Sequence, residues 1–254
     1  MTSNLSGYAE LHCVTNFSFL RGASHGEELV ERAAALGYAA LAITDECSLA
    51  GVVRAHVEAK EHGLHLIIGS EITLLTAGGD PYAKLVLLAT DRAAYGNLSE
   101  LITLARTRAD KGSYRAYASD LEGKAAGRPH LQHLPGCLAL LIPAGDASFE
   151  QLFGQAMWLR TWFPERAWIA VENLLRATDG PLIERIERVG HLTGVPLVAA
   201  GDVHMHLRSR KPVLDVAAAI RLGKTVAECG FALASNAEQY LRPRVRLAQL
   251  YAPE

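Results

Sequence analysis

The 254-residue chain is 50% hydrophobic and 20% charged, and its formal net charge is −2 at pH 7. These values are typical of a soluble globular protein with a large core, and they exclude a protein that binds nucleic acid through a strong overall positive charge. The first ten residues, MTSNLSGYAE, lack the basic and apolar regions of a secretory signal, and no apolar run approaches membrane-spanning length. We therefore expect a cytoplasmic protein that does not enter a membrane.

Strand-like and helix-like segments alternate from the N-terminus onward. A strand is predicted from Tyr8 to Val14, and the next helix is predicted to be capped by Ser24, which has Glu27 three residues later, and to end near Leu36. The pattern continues with strands at 39–44, 66–75, 84–90, 137–142, 168–172 and 196–200 and with helices at 49–62, 91–108, 148–160 and 181–193. Such alternation predicts one α/β domain, built as a parallel barrel or a doubly wound sheet.

Residues 106–135 interrupt this alternation and are predicted to form an irregular arm with a weak helix at 118–125. A solvated loop is favoured, because Asp110, Asp120 and Glu122 are interleaved with the basic residues. Contact with DNA or with a partner protein is the alternative, since so long an irregular segment is uncommon in a compact domain unless it has a function. The basic residues of the arm are Arg106, Arg108, Lys111, Arg115, Lys124 and Arg128.

Side chains that can bind metal lie at the ends of several predicted strands. They are His12, Asp45, Glu46, Glu71, Asp202 and His204. Asp202 and His204 are two residues apart on an extended segment, so both are expected to project from the same rim. Folds of this class expose their chemistry at the carboxyl ends of the strands, where these side chains would meet. Because carboxylates and imidazoles together suit Zn, Mn or Fe, the pattern favours descent from a metal site.

Five segments carry a family resemblance. In chain order, ELHCVTNFSFLRGAS, LAITDECSLAGV, LIIGSEI, KLVLLATDRAAYGNLSELIT and LVAAGDVHMH resemble motifs of the PHP (polymerase and histidinol phosphatase) domains of C-family bacterial DNA polymerases. TNFSFLRGAS, ITDECSLAGVVRAH and the closing CGFALASNAEQYLRPRVRLAQLY are most similar to the error-prone, damage-inducible branch of that family. The resemblance covers essentially the whole chain and implies an α/β fold, a distorted seven-stranded (β/α) barrel. In active members, metals at the barrel mouth hydrolyse phosphoesters.

The resemblance also implies that the metal site is incomplete. The family's ligand types are kept at His12, Glu71, Asp202 and His204, and Asp45 matches a second-shell or structural position. Ligands of the family are replaced at five positions, which are Val14, Arg21, Glu46, Lys84 and Pro143. A guanidinium in place of an acid repels a cation, and a proline offers no ligand atom. The resemblance therefore implies a remnant site filled by salt bridges, with no cofactor expected in this domain, or Zn or Mn if the remnant still binds.

The function implied by the resemblance belongs to a larger enzyme. Residues 1–240 match a PHP domain, and residues 241–254 match the start of the connection to polymerase domains that are absent from this chain and bind Mg. The parent is expected to be a DNA-directed DNA polymerase, a nucleotidyltransferase that contacts DNA and acts in DNA-damage-induced translesion synthesis, within DNA repair and the SOS response. This chain would then be a non-catalytic structural domain of that polymerase.

Two further hypotheses remain open at the level of sequence. The first is a residual metal-dependent phosphoesterase or proofreading exonuclease that uses His12, Glu71, Asp202 and His204. The second is a docking module whose arm at 106–135 recruits mutagenesis accessory proteins or the sliding clamp. Stoichiometric bound metal would favour the first. Deletion of the arm that abolishes an interaction without unfolding the barrel would favour the second.

Overall fold

The computed structural model describes residues 7–251, and in that range the chain forms a curled sheet surrounded by helices. The strands are β1 (Ala9–Glu10), β2 (Ala40–Ile43), β3 (His65–Leu75), β4 (Pro81–Ala89), β5 (Ala116–Tyr117), β6 (Cys137–Ile142), β7 (Ala167–Val171) and β8 (Leu197–Ala199). Seven of them follow one another in the order β1-β2-β3-β4-β6-β7-β8, and the short β5 pairs with β3 outside this path.

The two ends of the sheet are joined by backbone hydrogen bonds between the segments that follow β1 and β8. Cys13 and Val203 form a parallel bridge, in which Val14 N–H donates to the Val203 carbonyl at 2.9 Å and Val203 N–H donates to the His12 carbonyl at 2.9 Å. The seven strands thus curl into a distorted barrel, and the predicted fold class is confirmed. The closure also brings residues near position 12 beside residues near position 202.

One strand departs from the predicted parallel arrangement. β4 runs antiparallel to both of its neighbours, β3 and β6, whereas the other main pairs of the barrel are parallel. The parallel arrangement expected from the alternation of strands and helices therefore does not extend to β4. The physical reason is the short turn between β3 and β4, at residues 76–80, because a parallel crossover requires a dozen or more residues.

Helices surround the sheet. They are α1 (Gly26–Ala35), α2 (Val52–His62), α3 (Arg92–Thr107), α4 (Phe149–Trp162), α5 (Asp179–Thr193), α6 (Lys211–Leu222), α7 (Val226–Cys229) and α8 (Arg244–Leu250). The predicted cap of α1 is shifted by one residue, because His25 is the N-cap and its N–H donates to Glu28 Oε2 at 2.9 Å. Ser24 instead hydrogen bonds through its hydroxyl to His206, which ties the start of α1 to the segment after β8.

The core has an inner and an outer layer, and alternation along the strands separates them. On β4, Val86 and Leu88 face the barrel interior with Leu140 and Ala170, while Leu85 and Leu87 pack on the opposite face. This is the period-two alternation of a strand that is buried on both faces. The outer face is covered by α3, α4 and α5.

The arm at 106–135 is irregular, as predicted, but it is not a solvated loop. Leu121, Leu131 and Leu134 are fully buried, and they belong to the core cluster that covers the outer face of the sheet. The arm also contributes β5 and a short helical segment at Asp120–Lys124, which is kinked at Gly123, where φ is 82°. Its apolar residues follow no helical or strand period, so their burial was not visible in the sequence.

Within residues 7–251, no helix combines the length and the apolar character needed to cross a membrane.

Candidate functional site

Three of the predicted ligands meet at the barrel mouth. Nitrogen of His12 and carboxylate oxygens of Glu71 and Asp202 all lie within 4.8 Å of one another. They come from the segment after β1, from β3 and from the segment after β8, so closure of the sheet assembles them. His12 and Glu71 are almost completely buried, and Asp202 is half-buried.

His12 is held by carboxylates on both sides of its ring. Its Nε2 lies 2.8 Å from Glu71 Oε2, and its Nδ1 lies 2.6 Å from Glu172 Oε1 and 3.8 Å from Asp202 Oδ1. Burial by itself lowers the pKa of His12, but Glu172, Glu71 and Asp202 together outweigh burial and raise that pKa well above its usual value. Both ring nitrogens thus face carboxylate oxygens, an arrangement that favours the protonated form of the ring.

Glu172 was not predicted as a site residue. It directly follows β7, at the same rim as the other site residues, and this position after a buried apolar strand was the available signal. The sequence alone does not distinguish Glu172 from an acidic residue that follows a strand and has no role in a site. The structure distinguishes it by the 2.6 Å contact with His12.

Arg21 enters the same cluster from the loop between β1 and α1. Its Nη1 lies 2.6 Å from Glu71 Oε1 and 2.8 Å from Glu46 Oε2, and its Nη2 donates to Glu71 Oε2 at 3.3 Å. Lys84 Nζ lies 3.5 Å from Glu71 Oε2. Burial raises the pKa of Glu71, but His12, Lys84 and Arg21 more than offset it and hold that pKa far below its usual range. Glu71 is therefore a carboxylate surrounded by cations.

Asp202 is fixed by its own turn and by neighbouring side chains. His204 Nε2 lies 3.0 Å from Asp202 Oδ1, and Gln239 Nε2 donates to Asp202 Oδ2 at 2.6 Å. The backbone of Asp202 is left-handed, with φ of 44°. A Cβ on the preceding Gly201 would lie 2.3 Å from Glu10 Oε2, so a larger residue at this turn would displace the buried carboxylate of Glu10. Strained backbone of this kind is common where a functional side chain must be aimed.

Asp45 anchors the loop that carries Arg21. It accepts hydrogen bonds from Thr15 N–H and Thr15 Oγ1, both at 2.8 Å, and from Ser18 Oγ at 2.6 Å. Burial raises the pKa of Asp45, although the hydrogen bonds from Ser18 and Thr15 act in the opposite direction. These contacts fit the supporting position that the resemblance implies for Asp45.

The remaining replaced positions contribute no ligand to the cluster. Val14 is fully buried and uses its backbone N–H in the bridge to Val203. Pro143 lines a cavity of about 490 Å³ that also borders Lys84, Glu172 and Asp202. A substrate approaching the cluster from this side would meet Lys84 before it reached His12, because Lys84 is the more exposed of the two.

The three donors that lie close enough for one ion also contact other side chains of the cluster. Three donors are close enough for one ion, yet each is engaged: His12 by two carboxylates, Glu71 by Arg21, and Asp202 by His204 and Gln239. Within residues 7–251 the cluster sets Arg21, Lys84 and the imidazole of His12 against the carboxylates of Glu46, Glu71, Glu172 and Asp202. A divalent cation bound by His12, Glu71 and Asp202 would have to displace these contacts. The residues therefore do not fit the multi-metal centre of an active hydrolase.

Solved structures with the same fold include two bacterial proteins of low sequence identity. A candidate metal-dependent phosphoesterase from Bifidobacterium adolescentis superimposes with a TM-score of 0.52 at 18% identity, covering 78% of this chain and 88% of that one. An amidohydrolase from Chromobacterium violaceum gives a TM-score of 0.51 at 16% identity with the same coverage. At these identities the likeness concerns the fold alone.

Curated relatives are much more similar in sequence. An error-prone DNA polymerase from Bordetella parapertussis is 55% identical over 251 residues, which is 99% of this chain and 24% of the relative. The corresponding protein from Ralstonia nicotianae is 53% identical over 250 residues, 98% of this chain and 23% of the relative. The chain thus spans about a quarter of the length of the curated relatives it matches.

The family model of the PHP domain matches residues 10–184, which is more than half of the chain. The matched range begins at Glu10, the last residue of β1, and contains β2 to β7 and all of the site residues except Asp202, His204 and Gln239. Together with the barrel of the structure and the relatives at 53% and 55% identity, this match shows that the chain belongs to the PHP-domain family.

Proposed function

We propose that the chain is the PHP domain of an error-prone DNA polymerase that acts on damaged DNA in translesion synthesis, as part of DNA repair and the SOS response in the cytoplasm. Identity of 55% across nearly the whole chain supports the assignment to that polymerase. The catalytic carboxylates and their Mg ions would then lie in the rest of the enzyme, because this chain corresponds to 24% of the relative.

Within that polymerase, the domain acts as a structural unit whose metal centre has become an ion-pair network. The observation that carries this proposal is Arg21, which lies between Glu71 and Glu46 at 2.6 and 2.8 Å. A guanidinium bound by two carboxylates satisfies the charges of the mouth without metal, and it stabilises the barrel as long as all partners remain. Phosphoester hydrolysis by this family requires water that is activated by a metal. An ion-pair cluster of this kind does not supply such a water.

A residual metal-dependent phosphoesterase or exonuclease is the second candidate. It is favoured by one observation, the 4.8 Å grouping of His12, Glu71 and Asp202, which could take a single Zn or Mn ion if the ion displaced the present partners. His204 would be the fourth ligand of such a metal site, but its Nδ1 lies 3.0 Å from the Arg21 carbonyl oxygen and its Nε2 lies 3.0 Å from Asp202 Oδ1. The structural role requires no such rearrangement.

Metal content and hydrolysis separate the two candidates. The purified chain is dialysed without chelator, its metal is measured by plasma mass spectrometry, and phosphoesterase activity is assayed with added Mn and Zn. Well under one metal per chain and no turnover are expected. Tightly bound metal, with turnover that disappears in Asp202→Ala, would instead establish the hydrolase.

Recruitment of accessory proteins or the sliding clamp through the arm receives less support. Four of the six basic residues of the arm are engaged within the domain: Arg108 with Asp120 at 2.6 Å, Lys124 with Glu122 at 3.0 Å, Arg128 with Glu100 at 2.9 Å, and Arg106 with backbone carbonyls. Lys111 and Arg115 are exposed and remain available for DNA or a partner. The arm therefore supports contact with DNA or with a partner protein only through these two residues.

A further inference from the structure

Another cavity lies at the end of the barrel opposite the charged mouth, and we call it the basal cavity. Its volume is about 700 Å³. On β3, Glu71 belongs to the mouth, whereas His65 to Ile68, at the start of the same strand, line the basal cavity. On the antiparallel β4, Lys84 lies at the mouth and residues 88–89 line the cavity. The basal cavity is therefore a site distinct from the charged mouth.

The wall of the basal cavity is the inner face of the barrel. Four side chains of this wall pack on the buried interior cluster, yet each of them is only partly buried, namely Ile67, Leu138, Trp168 and Val198. The interior of a barrel is normally filled by layers of bulky branched side chains. Here the layer near the middle is buried, and the layer at the base borders the cavity. Concave apolar sites of about 300–1,000 Å³ with a few polar groups are typical of small-molecule sites in proteins.

Two side chains with N–H groups, His65 and Arg92, lie at the rim of the basal cavity. The register that pairs Ile68 with Ala89 brings both positions to the same end of the β3–β4 hairpin. Within residues 7–251 neither side chain has a hydrogen bond or an ion pair. Asp91 also lines the rim, but its Oδ1 caps α3 by accepting a hydrogen bond at 2.8 Å from a backbone N–H of the first turn. The rim thus offers an unpaired guanidinium and an unpaired imidazole.

The width of the barrel limits what can enter the basal cavity. An eight-stranded barrel has an interior just wide enough for its own side chains, and this barrel has seven strands. An α-helix with its side chains is about 10–12 Å across, so it does not fit between the strands. An alkyl chain or a single ring has the cross-section of one side chain and does fit. The shape of the cavity therefore selects a small apolar molecule or an alkyl tail.

The rim selects the head group of such a molecule. A guanidinium binds a carboxylate through two parallel N–H···O bonds, and the single negative charge of a carboxylate matches the one unpaired cation, Arg92. A phosphate monoester carries about 1.5 to 2 negative charges at pH 7 and would lie close to Asp91 as well. From His65 to Ile68 the wall extends about 10 Å, at about 3.3 Å per residue, which is close to the length of an octanoate tail.

We infer that the basal cavity binds a medium-chain carboxylate. The alkyl tail lies among Leu138, Trp168 and Val198, and the carboxylate accepts hydrogen bonds from Arg92 and His65 at the rim. Because the site shares no side chain with the ion pairs of the mouth, replacement of the metal ligands there leaves it intact.

Calorimetric titration of the 254-residue chain with octanoate measures the binding directly. One octanoate per chain is expected, and 1-octanol and octyl phosphate should bind at least about tenfold more weakly, because neither forms the same charge-matched pair with Arg92. Arg92→Gln should weaken octanoate binding about tenfold and leave 1-octanol binding unchanged. Arg115→Gln, at an exposed arginine outside the cavity, is the matched control and should bind octanoate as the unaltered chain does.

Three further variants locate the ligand. Val198→Phe fills the cavity from β8 and Leu138→Phe fills it from β6, so each variant that circular dichroism shows to be folded should lose octanoate binding. Trp168→Phe should keep the heat of binding but lose the ligand-induced change in tryptophan fluorescence. The reason is that Trp168 lines the cavity, whereas Trp158 and Trp162 lie on α4.

Several outcomes would overturn the inference. Absence of measurable heat with octanoate in the millimolar range would show that the cavity takes no such ligand. Equal affinity for 1-octanol, or tighter binding of octyl phosphate, would show that the rim does not select a carboxylate. Octanoate binding that survives Arg92→Gln and both cavity-filling variants would place the ligand elsewhere on the surface.

Discussion

At the scale of single residues, Arg21 determines the character of the barrel mouth. It lies where the resemblance implies an acidic ligand, and it contacts Glu46 and Glu71. A buried ion pair adds little when compared with apolar packing, but removal of one partner leaves the other charges uncompensated. The present stability of the mouth should therefore depend on this one cation more than on any single carboxylate.

Replacement of Arg21 tests this dependence. In Arg21→Asp the cluster loses a cation and gains an anion, so without metal the free energy of unfolding should fall by about 3 kcal/mol or more. Added Mn²⁺ or Zn²⁺ should recover part of that loss, because the acid restores the ligand type of active family members. The measurement is urea unfolding with and without metal.

Arg21→Met is the control for this experiment, since it removes the cation without adding a ligand. It should be destabilised and should not respond to metal. Metal that stabilises the unaltered chain as strongly as Arg21→Asp would contradict the view that the ion-pair network has replaced the metal centre.

At the scale of elements, the arm at 106–135 behaves as part of the core. The structure buries Leu121, Leu131 and Leu134, and β5 adds a short parallel pairing to β3. An arm of this kind cannot be removed as a unit, because the outer face of the sheet would then be exposed. The docking hypothesis, by contrast, requires an arm that can be deleted without unfolding the barrel.

Truncation of one arm residue distinguishes these views. Leu121→Ala should lower the free energy of unfolding by about 2–4 kcal/mol, since it opens a cavity in a packed core. Lys124→Ala, three residues later at a 71% exposed side chain, should change stability by less than about 0.5 kcal/mol. Both values come from urea unfolding followed by circular dichroism, and equal stability of the two variants would show that the arm is loosely attached.

At the scale of the whole molecule, residues after position 240 pack onto the barrel. Leu241 and Leu247 are buried in the cluster that contains β2, α1 and α2. The Tyr251 hydroxyl donates to the Ala200 carbonyl at 3.0 Å and accepts from Asn173 N–H at 3.1 Å. The sequence predicts a boundary after residue 240, whereas these contacts favour a domain that extends through α8.

Two shortened chains test the boundary. A chain of residues 1–240 loses both leucines, each worth about 2 kcal/mol of burial, and should unfold at a clearly lower temperature than a chain of residues 1–251. Differential scanning calorimetry of the two gives the comparison. Equal melting temperatures would support the boundary after 240 and would make α8 part of a connection.

The sequence by itself determined the class of fold and most of its elements. Period-two and helical patterns located the main strands and helices, because burial on one or two faces is a local property of the chain. Motifs identified the family and placed His12, Glu71 and Asp202 at one rim. The arm was predicted as irregular but not as part of the core, because its apolar residues follow no period. No helix was predicted for α6 or α7, beyond residue 210.

Only the tertiary structure decided which charges meet. The contact of His12 with Glu172, 160 residues away, depends on closure of the sheet through Cys13 and Val203. The contacts of Arg21 with Glu46 and Glu71 depend on the pairing of β1, β2 and β3 as neighbours in the sheet. No local pattern encodes such distances, because the electrostatic energy of a buried cluster depends on the separation and solvation of groups brought together by the whole fold. The motifs therefore showed which ligand positions are replaced. The structure showed that the charged replacements, Arg21, Glu46 and Lys84, form ion pairs within the cluster.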